Sequence, residues 1–199
     1  MTLEKETHSS ARVTRIVLCL LVAAFAQTSL KHIHPWLGYI DWLLMVTVYV
    51  GLLRAPVAAL LTGTAAGLAF DLMTGVSVTG VRSALGVSGF AYVLAAYLAY
   101  WVSANFFVEG MLVRLATVAG ASVIATVLRL FFYKVILSYS LPASAALELV
   151  WGPTLNLFLS VLVFTALDQI FSVGRGKRGR TRRAEAMRGL KRRRRFKIK

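Results

Sequence analysis

Between Ile16 and Leu167 the chain carries only ten charged residues: Lys31, Asp41, Arg54, Asp71, Arg82, Glu109, Arg114, Arg129, Lys134 and Glu148. The apolar runs between them are long enough to cross a bilayer, and they show no period-two alternation. In lipid the backbone must satisfy its own polar groups, which leaves helices or closed barrels. Without alternation, helices are selected. The sequence therefore predicts an all-α integral membrane protein.

The composition agrees and sets the size. A chain of 199 residues that is 58% hydrophobic and 16% charged, with a mean hydropathy of +0.70, has room for one helical domain. Its net charge of +15 suggests nucleic acid until the charge is located. Residues 172–199 hold 14 Lys and Arg against the single acid Glu185, or +13, and the preceding 171 residues carry only +2. The expected organisation is a short cytoplasmic N-terminus at 1–13, a transmembrane domain at 14–171 and a basic, disordered cytoplasmic tail at 172–199. The single cysteine, Cys19, lies within an apolar run and reads as a packing residue.

Six spans are predicted, at about 14–31, 36–53, 55–72, 80–103, 110–138 and 145–171. Trp36, Tyr39, Trp42, Tyr100, Trp101, Tyr133, Tyr139 and Trp151 stand near their ends as interfacial anchors. Arg54-Ala55-Pro56 leaves almost no loop between the second and third spans, and proline suits a first helical turn. With the N-terminus inside, Lys5, Arg12, Arg15, Arg54, Arg114 and the tail fall on the cytoplasmic side. Lys31, Arg82 and Lys134 then fall outside, which fits the positive-inside bias and puts both termini in the cytoplasm. A competing reading takes Ala24-Phe25-Ala26 as a signal-peptide cleavage site, but Glu4 and Glu6 are foreign to such a leader.

The most specific stretch runs Gly67-Leu68-Ala69-Phe70-Asp71-Leu72-Met73-Thr74-Gly75, followed by Gly80-Val81-Arg82-Ser83-Ala84-Leu85. A carboxylate at the end of an apolar helix requires a partner or water, so Asp71 is expected to be paired. Gly67, one turn earlier, allows close helix contact, and Gly75, one turn later, suits a helix end. Small residues are dense through the third and fourth spans, which are expected to form the packed centre.

This pattern resembles the MreD family of rod shape-determining membrane proteins: an Asp ending the third span, Gly four residues to either side, a short turn, then Gly-x-x-x-Ala-Leu. The resemblance covers about residues 36–172 in span number and order, including Asp41-Trp42-Leu43-Leu44 at the start of the second helix. Two features depart from the family pattern. The turn from Gly75 to Gly80 is about one residue longer and lacks a frequent proline, and the basic tail is longer than usual. The resemblance implies a non-enzymatic scaffold of cell-wall elongation in the cytoplasmic membrane. Such a scaffold binds the single-span shape protein MreC and, directly or indirectly, peptidoglycan elongation enzymes and an actin-like filament. It also implies a six-helix fold similar to the substrate-binding subunit of energy-coupling-factor vitamin transporters. A vitamin-binding subunit, with the outer face as its pocket, is the alternative function.

Independently of any family, this topology brings Asp41, Asp71, Arg82, Arg129, Lys134 and Glu148 toward one leaflet. Arg129, two turns inside the end of the fifth helix, is expected either to pair with Asp71 or Asp41, or to snorkel to the headgroups. Pro153 is expected to kink the last helix or mark its start, with Asn156 one turn on bonding a freed group or a neighbouring helix. His32 and His34 lack further metal ligands nearby, and no nucleophile set, phosphate loop or acid pair can be assembled. No catalysis, metal or cofactor is expected. The candidate docking residues are Gly67, Asp71, Gly75, Gly80 and Arg129. The run Lys191-Arg192-Arg193-Arg194-Arg195 is expected to bind anionic lipid, or an acidic cytoplasmic partner, rather than nucleic acid.

Overall fold

A computed structural model describes residues 3–74, 86–106, 110–136 and 144–172. Six α-helices are present among them: α1 (Leu3–Ile33), α2 (Trp42–Leu52), α3 (Pro56–Thr74), α4 (Val87–Asn105), α5 (Met111–Phe131) and α6 (Ser144–Ser172). A short 3-10 helix, Pro35–Tyr39, precedes α2, and five π-helical residues, Phe132–Ile136, extend α5. Among the described residues five helical stretches are long and apolar enough to cross a membrane: Ala11–Ile33, Pro56–Met73, Val87–Asn105, Met111–Phe131 and Leu149–Phe171. The chain divides into two compact units, Met1–Val163 and Phe164–Lys199. The first holds α1 to α5 and most of α6; the described part of the second is the closing stretch of α6.

The second predicted span is not one helix. The apolar segment after Pro35 breaks at Ile40–Asp41, and α2 proper is only 11 residues long. The reason is local: Asp41 adopts a non-helical backbone and its Oδ1 accepts the N–H of Leu44 at 3.0 Å, an N-cap that starts a new helix. Every residue from Leu43 to Gly51 is buried. A helix apolar on all sides belongs in an interior, and α2 lies against α1, α3, α4 and α5.

Its neighbours turn small faces inward and large apolar faces outward. On α4 the buried face is Ser88, Gly89, Ala91, Tyr92, Ala95, Ala96, Ala99 and Ser103. Among the described side chains of α1, only the narrow line Ile16, Cys19 and Ala23 is buried, while Val17, Leu18, Leu21, Val22 and Phe25 are exposed. An exterior this apolar fits a lipid environment. Between α2 and α3 only Leu53, Arg54 and Ala55 intervene, with Pro56 in the first turn of α3 as expected. Pro153 lies inside α6, nine residues after its start at Ser144, so it does not mark the beginning of that helix.

Candidate functional site

At the end of the bundle where α2 and α4 begin and α3 and α5 finish, two buried carboxylates each cap a helix. Asp41 caps its own helix, α2. Asp71, near the end of α3, caps a different one: its Oδ2 accepts the N–H of Gly86 at 2.7 Å and its Oδ1 that of Ser88 at 3.3 Å, at the start of α4. Gly86 takes φ of +102°, a left-handed conformation that suits glycine. Both carboxylates thus meet backbone donors at the positive end of a helix dipole, which stabilises negative charge away from water.

Asp41 anchors the larger cluster. The Tyr92 hydroxyl of α4 donates to its carboxylate. From α5, Arg129 Nη1 forms an ion pair with Asp41 Oδ2 at 3.6 Å, and Nη2 lies 3.5 Å from Thr126 Oγ1. The guanidinium sits 4.9 Å from the centre of the Phe70 ring of α3, a cation–π contact that favours the buried charge. Arg129 is only 8% exposed, so its side chain packs inside the bundle instead of extending to the headgroups. From α6, the side-chain carbonyl of Asn156 accepts the backbone N–H of Asp41 at 2.8 Å, while its Nδ2 donates to Ser122 Oγ of α5 at 2.8 Å. The N–H of Trp42 reaches Gln27 Oε1 of α1 at 3.0 Å. Around the break before α2, all six helices contribute a polar or aromatic contact.

A glycine seam brings the backbones close enough for these contacts. A Cβ on Gly67 would collide with the backbone of Gly89 and Ser88; on Gly63 it would lie 2.9 Å from the Tyr92 carbonyl oxygen. On Gly51 it would lie 2.8 Å from the Ala96 carbonyl oxygen. Small residues at such crossings are how helices approach in lipid.

Of the candidates read from the sequence, Gly67 and Asp71 therefore lie on the α3–α4 contact and Arg129 in the Asp41 cluster. Gly75, Gly80, Arg82 and the run Lys191 to Arg195 lie outside the described residues. His34 serves a local end: its Nδ1 accepts the N–H of Trp36 at the start of the 3-10 helix, 3.4 Å away. Sequence reasoning missed Tyr92, Gln27, Ser122 and Thr126. Tyr92 left a trace, a single phenol on a helix face otherwise built of Ser, Gly and Ala.

At the opposite end, α4 and α5 diverge into an open apolar cleft of about 370 Å³. Trp101, Val102 and Phe106 form one wall, and Val113, Ala116 and Gly120 the other.

Apolar helices stitched by buried charge and glycine contacts define a multi-pass helical membrane protein. The family model of the rod shape-determining protein MreD matches residues 10–170, and the chain belongs to this family. No curated protein and no solved structure matches it. The family is one of shape-determining membrane proteins and not a known enzyme family, and its role is rod shape determination.

Proposed function

We propose that the chain is a non-enzymatic scaffold of rod-type wall elongation in the bacterial cytoplasmic membrane. In this reading it binds the single membrane helix of an MreC-like partner and through it influences peptidoglycan synthesis. The family match over residues 10–170 carries the reading. The α4–α5 cleft supports it: Gly120 is exposed within this cleft, and a Cβ there would meet nothing within 4 Å. Gly51, Gly63 and Gly67 are required by internal crossings, whereas among the described residues no contact requires Gly120. Ala116, one turn earlier, continues a small-residue line of the kind that seats a membrane helix. Gly67, Asp71, Gly75, Gly80 and Arg129 are, in this reading, the residues that set local structure and docking geometry.

Six crossings, as in the substrate-binding subunit of energy-coupling-factor transporters, are the architecture this reading implies. The 3-10 helix and α2 together supply about 26 Å of length, close to the roughly 30 Å hydrocarbon thickness. The bias of Lys and Arg then puts both termini in the cytoplasm, where the tail meets anionic lipid or an acidic partner such as the actin-like filament. A vitamin-binding role would need space near Asp41, where Asp41, Tyr92, Arg129 and Asn156 instead pack on one another.

The test is purification of the tagged full chain in mild detergent with identification of co-purified proteins and small molecules. A single-span coiled-coil partner with wall-synthesis enzymes is expected, and Gly120→Leu should lose the partner while the chain stays folded. A retained vitamin with an ATPase-linked membrane partner would overturn the scaffold reading. Undiminished partner recovery with Gly120→Leu would remove the cleft from it.

A further inference from the structure

The turn between α2 and α3 holds the one non-glycine residue with positive φ among the described residues, Arg54 at +59°. The left-handed conformation costs a side chain with a Cβ roughly 1–2 kcal/mol, and glycine or asparagine would meet the turn more cheaply. Arg54 is exposed, and no described group bonds to its guanidinium. A second guanidinium comes to the same turn from α1: Arg12 Nη2 lies 3.5 Å from the carbonyl oxygen of Leu53, next to Arg54 in the chain. Of the acids of this unit whose side chains are described, Asp41 and Asp71 lie at the far end of the bundle, about 22 Å away along α3. Nothing described there neutralises the two charges.

Depth sets the ligand class. Candidate membrane spans begin at Ala11 and at Pro56, so Arg12 and Arg54 both stand where apolar helices meet the headgroup layer. The positive end of α3 opens beside them, and Ala55 has no side-chain acceptor to cap it. Guanidinium groups match phosphate geometry, and basic corners between membrane helices favour anionic headgroups.

We propose that Arg12 and Arg54 form a phosphate-binding corner at the α2–α3 turn, filled by the headgroup of an anionic phospholipid such as phosphatidylglycerol. It is independent of the scaffold reading and of the basic tail.

The experiment is amide hydrogen exchange of the full chain in phosphatidylcholine nanodiscs, and in nanodiscs of three parts phosphatidylcholine to one part phosphatidylglycerol. Exchange in the peptide covering the α2–α3 turn should slow in the anionic disc. Each of Arg12→Gln and Arg54→Gly should weaken this protection about fivefold. Arg54→Gly also relieves the positive φ, so the variant remains folded. Replacing Lys191 to Arg195 by glutamine should leave the turn's protection in place. Equal exchange in both discs, or protection that survives the paired Arg12 and Arg54 substitutions, would overturn the proposal. Inorganic phosphate reproducing the protection in phosphatidylcholine alone would keep the anion corner but overturn the lipid as its source.

Discussion

The backbone N–H of Asp41 and the side-chain carbonyl of Asn156 meet at 2.8 Å across 115 positions of sequence. This bond ties the break before α2 to α6, and the amide of the same side chain ties α6 to Ser122 of α5. Asn156→Leu should therefore leave a buried N–H and a buried hydroxyl each short of a partner. The expected loss is about 2–6 kcal/mol, at about 1–3 kcal/mol per orphaned group, read as an earlier midpoint in unfolding from mild detergent by added denaturing detergent.

Arg129 and Asp41 should behave as a coupled pair. Arg129→Met leaves Asp41 buried without its cation, and Asp41→Asn leaves the guanidinium without its anion; each should cost about 3–5 kcal/mol. The double variant should lose clearly less than the sum of the two. Additive losses in a double-mutant cycle would show that the pair is not coupled.

Gly67 and Gly120 should respond oppositely to alanine. Gly67→Ala forces α3 away from Gly89 and should cost about 1–3 kcal/mol. Gly120→Ala has open space around it and should be neutral or stabilising by up to about 1 kcal/mol in the isolated chain. Thermal unfolding of the two purified variants in one detergent checks both.

Asp71→Ala removes the acceptor of two N–H groups at the start of α4. A loss of about 1–2 kcal/mol is expected, with faster hydrogen exchange at Gly86 and Ser88 as its local sign. Asp71→Asn keeps an acceptor oxygen and should lose less.

Most helix positions were legible because long apolar runs bounded by sparse charge leave lipid-spanning helices few alternatives. The break at Ile40–Asp41 was not, because both flanks are equally apolar and the decision falls to one N-capping carboxylate. Arg129 stood out as a base two turns inside the predicted end of the fifth span, although α5 itself ends at Phe131 and holds Arg129 in its last turn, with the π-helical residues beyond. Choosing between burial with a partner and snorkelling required the fold, since Asp41 and Phe70 reach Arg129 from other helices. Tyr92 gives little signal in the sequence, because tyrosines in such chains usually sit at the interface. The closeness of α3 and α4 at Gly67 was readable from composition, but its collision partner Gly89 was not.

The burial of α2 on every side has a consequence for how the protein tolerates change. Helices facing lipid on one side accept variation in a stripe that recurs every three or four residues. From Leu43 to Gly51 no such permissive stripe exists, so a saturation scan should return an unbroken block of intolerance, and ancestry should be recorded there more faithfully than in any of the longer helices.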